Sequence, residues 1–454
     1  MRTLPFVMLF FCLIGTTTST QAQTSAELAD LRAELAQMRA DYEERITQLE
    51  QRLAVAEQKN IGQPTEPDPQ TTEYRQADNT TKPVARAGNQ SSNPDIGVIF
   101  QGQAWRHSGG SDDYLIPGFP LAGEAGPLPE GLSLGEIELN ISGNVDDKFT
   151  AWLTVPIAVE DGEVEVELEE AWIETLALPA GLSLRVGRFF SNIGYLNDKH
   201  RHSWNFVDQP LAYQVFLGNQ YLDDGAQLRW LAPTDFYLEL GAEVTRGDRY
   251  PAGGAANSGF GTYTLHARSG GDIGFSHSWQ AGISYLQADA QERVSGSEDS
   301  PLMFTGTTRL MMAEFVWKWA PNGNNNQRNF VFQTEYLWRN EDGFYNHSED
   351  PILAYDTDQQ GWYAQAVYQP FPRWRMGVRY DQLSSSDPGQ SFIGTDLMPT
   401  ERNPYRYSIM ADWSNSEFSR LRLQYTFDRA GMLDDNQWGL QYTFSIGAHG
   451  AHSF

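Results

Sequence analysis

Cysteine is nearly absent. Cys12 is the only one in 454 residues, and it falls in an apolar N-terminal stretch. A chain without that stretch has no disulfide framework and no Cys-based metal site. Long apolar runs are also missing, since nothing after the first residues approaches the roughly 20 residues of a spanning helix. Positive charge is short: 32 Lys and Arg face 59 Asp and Glu, for a net charge of -27 and a pI near 4.6. That balance excludes nucleic acid and an anionic membrane surface as partners. There is no Gly-rich phosphate loop ahead of a helix, and no carboxylate–histidine cluster at metal spacing. No enzyme, cofactor or resident metal is therefore expected. The low mean hydropathy of -0.49 leaves one membrane architecture open, because a β-barrel shows only alternate residues to lipid.

What is present begins with a secretory leader over 1–22. Arg2 supplies its charge, Leu4 to Ile14 its apolar core, and Thr20-Gln21-Ala22 a small-residue cleavage site. Residues 23–58 then read as an α-helical coiled coil. Leu28, Leu31, Leu35, Met38 and Tyr42 alternate three and four apart, and Ile46, Leu49, Leu53 and Ala56 resume after one stutter. A lone helix of this kind is marginal in water, so partner helices are implied and self-association is the simplest source. Residues 59–94 turn to Pro, Thr, Gln, Asn and Ser, the composition of a disordered linker.

From Asp95 onward period-two runs recur. Tyr405, Tyr407, Ile409, Ala411 and Trp413 share one face, and after a tight turn Leu421, Leu423, Tyr425 and Phe427 do the same. A second hairpin sets Met311, Ala313, Phe315, Trp317 and Trp319 against Phe330, Phe332, Thr334, Tyr336 and Trp338. Trp or Phe brackets both turns, as at an interfacial aromatic girdle. The same count places strands near 95–105, 135–146, 149–158, 165–177, 181–190, 224–232, 235–246 and 260–269. The others fall near 274–287, 307–320, 328–339, 358–370, 373–383, 404–414, 417–428 and 437–454. The fourth is ambiguous between Val164 and Glu174. The tally is sixteen, and short turns near 147, 179, 233, 271, 324, 371 and 415 all lie at one end. Runs of ten or more residues exceed what a soluble sandwich usually needs and suffice to cross an apolar band of roughly 25 Å. The expected fold is an all-β transmembrane β-barrel of about 16 antiparallel strands over 95–454, with lipid outside and a water-filled lumen.

The last strand alternates Trp438, Leu440, Tyr442, Phe444, Ile446 and Ala448 with small or polar residues, and the chain stops at Phe454. It resembles the closing strand of bacterial outer-membrane barrels. The resemblance implies outer-membrane lipid as surroundings and Phe454 as part of the signal read by the barrel-assembly machinery.

The presumed lumen face is charged and uneven. Arg185, Arg229, Arg375, Arg379, Arg406, Arg420 and Arg422 stand on strands five, six and thirteen to fifteen. Glu136, Glu138, Glu170, Glu174, Glu239 and Glu243 stand on strands two, four and seven. In lipid each would cost a few kcal/mol, so an aqueous interior is their economical place. Facing walls of opposite sign would create a transverse field, or simply brace one another. The third long loop, Ser191 to Asp223, carries Lys199-His200-Arg201-His202. In the sixteen-stranded porins the third loop folds inward, which would bring this quartet to the constriction, where cations favour anionic solutes. His200 and His202 are two apart and would face one way, but two imidazoles without a third ligand do not make a metal site.

Residues 95–454 resemble the bacterial outer-membrane porin superfamily, closest to its phosphate-selective type. Gly187-Arg188-Phe189-Phe190, His200, Phe206-Val207-Asp208 and Pro210-Leu211 carry the likeness. Lysine is scarce and acids are plentiful, which departs from the phosphate-selective pattern. The resemblance implies a homotrimer of porin channels for passive diffusion of small hydrophilic solutes or ions, with the coil in the periplasm. The rival readings are a substrate-specific uptake channel for a metal ion, metal chelate or oxyanion, and a structural anchor whose coil contacts the cell wall. Outer-membrane phospholipases also use a barrel, with Ser and His on its outer face, but His266 and His277 lack a matching Ser.

Overall fold

The computed structural model describes residues 94–447, apart from 110–113, 122–124, 161–162, 254–258, 298–299 and 347–351. The leader, coil and linker expected over 1–94 lie outside these residues but for Pro94, and Phe454 lies outside them as well. Eighteen hydrogen-bonded segments form one antiparallel sheet closed on itself. Two pairs of segments are halves of single strands, so the barrel has sixteen.

In chain order these are β1 (Asp95–Arg106), β2 (Gly131–Leu134 with Ile137–Asn144), β3 (Phe149–Glu160) and β4 (Glu163–Val166 with Glu170–Thr175). Next come β5 (Leu182–Phe190), β6 (Leu222–Leu231), β7 (Tyr237–Thr245) and β8 (Thr262–Ile273). Then follow β9 (His277–Ser297), β10 (Ser300–Trp319), β11 (Asn329–Asn346) and β12 (Leu353–Phe371). The last four are β13 (Trp374–Ser385), β14 (Tyr405–Ser416), β15 (Ser419–Asp428) and β16 (Asp435–Gly447). Closure runs through β1 and β16, in register from Gly97 opposite Gly447 to Arg106 opposite Trp438.

Burial is inverted relative to a water-soluble sheet. Glu138, Asp381 and Asp412 have no exposed surface, whereas Ile409 and Leu423 are about half exposed (53% and 49%). Outward faces pair apolar with apolar: Ile409 opposite Tyr425, Ala411 opposite Leu423 and Trp317 opposite Phe332. The Phe100 and Phe444 rings stack 4.7 Å apart where the barrel closes. An exterior of this kind needs an apolar solvent, and the buried polar face needs partners or water. Among the described residues no helix is long and apolar enough to cross a membrane.

Two features depart from the expected strand map. The turn expected near 271 lies at 274–276, because Ser269 to Ile273 still pair with Ala281 to His277. Gly270 and Gly271 punctuate the sequence but sit within the strand, and a Cβ at Gly270 would press on the Trp279 carbonyl at 2.7 Å. At the long-loop end β9 to β12 also run on past the expected limits, where the outward positions are polar, as at Thr305, Thr307 and Arg309.

A further departure explains the ambiguous fourth strand. Register slips by one residue in β2 between Leu134 and Glu138, and again in β4 between Val166 and Glu170. Each slip is a β-bulge, with two residues of one strand opposing one of its neighbour. In β4 the inward parity passes from Glu163 and Glu165 to Glu170, Trp172 and Glu174. A period-two reading cannot follow that step.

Candidate functional site

Residues 191–221, the third long connection, turn into the barrel and touch its wall almost all the way round. The segment leaves β5 with the Ser191 hydroxyl and Asn192 N–H both donating to Glu243, the latter at 2.7 Å. Arg268 holds the Asn192 carbonyl at 2.8 Å, and Tyr195 N–H donates to Glu335 at 2.9 Å. Gly194 has φ 59°, and any Cβ there would collide with Met312, Tyr213 and Glu335, so only glycine passes this point.

The basic quartet comes next, against β2 and β4. His200 Nε2 is 2.9 Å from Glu170 and its Nδ1 3.4 Å from Glu169. Arg201 Nη1 is 3.4 Å from Glu136, and His202 Nδ1 is 2.7 Å from Glu138. Lys199 pairs with its neighbour Asp198 at 3.0 Å. The two bulges make this possible, since they aim Glu136 and Glu138 from β2, and both Glu169 and Glu170 from β4, at one stretch of loop. The loop read alone promised a patch of free positive charge. The facing wall answers His200, Arg201 and His202 with carboxylates, and the loop's own Asp198 answers Lys199.

Burial by itself would lower the His200 pKa, but the Glu169 and Glu170 carboxylates outweigh it and hold the imidazolium well above its ordinary value. Asp198 raises Lys199 in the same way. Among the described residues no group of three or more His, Asp and Glu is arranged to hold a metal ion.

Beyond the quartet the loop is carried by arginines. Arg420 binds the His202 carbonyl at 2.7 Å, Arg422 the Trp204 carbonyl at 2.8 Å and Arg406 the Gln209 carbonyl at 2.7 Å. Arg379 and Arg406 grip Asp208 at 2.8 and 3.0 Å. Burial would raise the Asp208 carboxyl, but these two guanidiniums bring it down to about 2. The sequence-based picture of an arginine wall facing a glutamate wall left out the acids inside the first. Asp381 sits 2.9 Å from Arg379, and Asp412 sits 2.6 Å from Arg375 and 3.5 Å from Arg422. Arg185 and Arg229 share Glu174 at 2.6 and 2.5 Å. Glu239 lies 3.5 Å from His266, which is buried in the lumen wall, while His277 stacks on Trp317 near the short-turn end.

The loop ends in a short helix, α1 (Leu211–Leu217), every residue of which is buried. Pro210 starts it, Asp381 accepts the Leu211 N–H at 3.0 Å, and Gly218 stops it in the left-handed conformation (φ 60°). Tyr213, Val215, Phe216 and Leu217 pack against inward Leu286, Leu310, Met312, Leu337, Tyr363 and Leu383 of β9 to β13. Ile116 and Phe119 of the first loop join them. Sequence reading missed this seal. Its trace was apolar residues on the polar parity, such as Leu310 and Met312 beside Glu314.

On the opposite side the described residues enclose two polar cavities among others. One of about 200 Å3 lies towards the short turns, between Arg185, Arg229, Lys199, Arg268, Tyr237 and Glu239. The other, of about 150 Å3, lies towards the long loops, between Glu136, Glu165, Glu167, Glu169, Arg201 and Trp204. Phe190 borders both.

Comparison with known proteins matches this geometry at two levels. An uncharacterized protein of Aquifex aeolicus is 33% identical over 352 residues, which is 73% of this chain and 72% of that one. The chain belongs to one family with that protein. No family model matches it. Among solved structures it is similar to the outer membrane channel DcaP of Acinetobacter baumannii, with a TM-score of 0.50 and 13% identity over 79% of this chain and 100% of that one. An anion-selective porin from Comamonas acidovorans overlaps 78% of this chain and 99% of its own, with a TM-score of 0.46 and 8% identity. With its closed antiparallel sheet, the likeness to DcaP gives the chain a porin-type barrel fold, as the family resemblance in its sequence implied. At such identities the solved structures speak for the fold alone.

Proposed function

We propose that this protein is an outer-membrane porin that lets small hydrophilic solutes or ions diffuse passively past its third loop. The observation that carries the reading is the inverted barrel with a loop folded inside it, sealed by apolar contact on one side and leaving polar cavities on the other. Charged walls around a confined aqueous path set which solutes enter. The short turns then lie in the periplasm and the long loops outside. The reading takes Lys199, His200, Arg201 and His202 with Arg185, Arg229, Glu239 and Glu243 as the constriction and its approaches. Arg375, Arg379, Arg406, Arg420 and Arg422 hold the loop in place.

The same proposal assembles three barrels side by side, joins them by the N-terminal coil in the periplasm and uses Phe454 in assembly. A second reading, a substrate-specific uptake channel, is favoured by one observation: the cavities are small, about 200 and 150 Å3. No catalytic step is assigned to the protein in either reading. Planar-bilayer recording tests the first. Discrete, ohmic conductance steps in simple salt support a general porin, and steps silenced by one class of solute support the specific channel. A correctly folded protein that conducts nothing would leave only an anchoring role.

A further inference from the structure

We infer that Phe190 is the gate of the channel, the side chain that parts its two compartments and limits what passes between them. The inference rests on the porin reading above. Of all the residues that line the cavities of about 200 and 150 Å3, Phe190 alone belongs to both. Every other residue around the cavity towards the short turns carries a polar side chain, from Arg185 and Asn192 to Arg268 and Gln280. The two spaces therefore share one apolar wall, a side chain only 3% exposed. A hydrated ion finds polar partners on either side of that ring and none at it. An apolar constriction of this kind closes by dewetting.

The backbone around the ring is fixed. Phe190 ends the ladder between β5 and β6, opposite Leu222. The next two residues are tied to Glu243, through the Ser191 hydroxyl and, at 2.7 Å, the Asn192 N–H. The Ser191 N–H donates to the Tyr221 carbonyl at 3.0 Å. What remains free to move is the side chain, by rotation about its Cα–Cβ bond between staggered positions. The neighbour in its way is His200, whose ring meets that of Phe190 edge to face, 5.6 Å away and at 86°. His200 in turn stands on Glu170 at 2.9 Å and Glu169 at 3.4 Å. The charged flank of the third loop thus holds the gate shut, and passage requires the ring to turn past the imidazole.

Apart from Cys12 in the expected leader the chain has no cysteine, so Phe190→Cys gives the mature protein one thiol. The mature parent and this variant are recorded in planar bilayers before and after benzyl methanethiosulfonate. The reagent passes its benzylthio group to the thiol as a disulfide and releases methanesulfinate, which puts an aryl ring back at this position. Single-channel steps of the variant should be at least about twofold larger than those of the parent. They should return towards parental size on benzylation and grow again when a reductant removes the ring. A variant merely loosened in its fold would not regain parental steps in this way. Parental steps in Phe190→Cys, or steps that ignore benzylation, overturn the gate and leave the channel standing. Silence from both proteins removes the channel itself, and the gate with it. Should Phe190→Cys lack heat-modifiable gel mobility, Phe190→Leu takes its place; larger steps are expected there, and parental ones overturn the gate.

Discussion

The third loop meets the barrel in two different ways, and the contrast says which part moves. Against β9 to β13 it presents α1, whose buried side chains fill an apolar recess made by inward-facing wall residues. Against β2 and β4 it presents histidines and an arginine, each on a carboxylate. The apolar contact is indifferent to pH and salt and loses free energy in proportion to the volume removed. The polar contact depends on charge state, is screened where exposed, and exchanges readily for water. A plug fixed by grease on one flank and by charge on the other hinges on the first and yields at the second. That is where the cavities lie.

Truncating the apolar anchor should have the largest effect. Phe216 is fully buried against Phe119 and beneath the Arg339 guanidinium, 4.7 Å from its ring centroid. Phe216→Ala should cost about 3–5 kcal/mol of loop docking while leaving the strand ladder intact. Single-channel steps should become larger and noisier, with gel heat-modifiability unchanged. Steps of parental size would mean that the arginine contacts hold the loop without α1.

Next comes the charged flank. Glu138 has no exposed surface and takes His202 at 2.7 Å. Glu138→Gln removes a charge-assisted bond worth about 1.5–3 kcal/mol and leaves more positive charge beside Arg201. Conductance should change less than in Phe216→Ala, while reversal potentials in a salt gradient move towards anions. A shift of opposite sign is expected from Lys199→Glu with Arg201→Glu, which turns two partly exposed cations into anions. Unaltered reversal potentials in that variant would remove the quartet from ion selection.

How much of this was legible in the sequence follows from the period each feature obeys. Over the stretch that meets lipid the outward faces of β10, β11, β14 and β15 are apolar at nearly every second position, as lipid demands. Their pairing as found, Ala313 opposite Tyr336 and Ile409 opposite Tyr425, needs only that rule and a turn. The bulges were hidden, since one extra residue swaps parity; the passage from Glu165 to Glu170 was their only mark. The pairing of the quartet was hidden for a further reason. Glu169 and Glu136 meet the loop through closure of the barrel, which brings together residues far apart in the chain, and no local pattern encodes that meeting. Asp381 and Asp412 stood in plain view on the arginine strands, but their effect on the field depends on distances of 2.6 to 2.9 Å that alternation does not give.

The smallest expected effect is that of pH, and its window separates the two flanks most cleanly. His200 has its folded pKa raised above the ordinary 6.5, so the docking it contributes is complete below that value and is lost only as pH rises through the elevated one. Asp208 has its folded pKa lowered from 3.8 to about 2, so its contribution is complete above 3.8 and is lost as pH falls through about 2. Between these limits His200 and Asp208 both keep their charge, so neither should add current noise from about pH 4 to neutrality. Above neutrality noise should grow as the imidazolium loses its proton and the β4 flank loosens, while mean step size stays near its neutral value because α1 remains seated. His200→Gln should show the alkaline noise already at neutral pH and no further rise with alkali. A parental channel whose noise climbs instead between pH 5 and 7 would mean that His200 titrates like a solvent-exposed histidine, and that the carboxylates of β4 do not hold it.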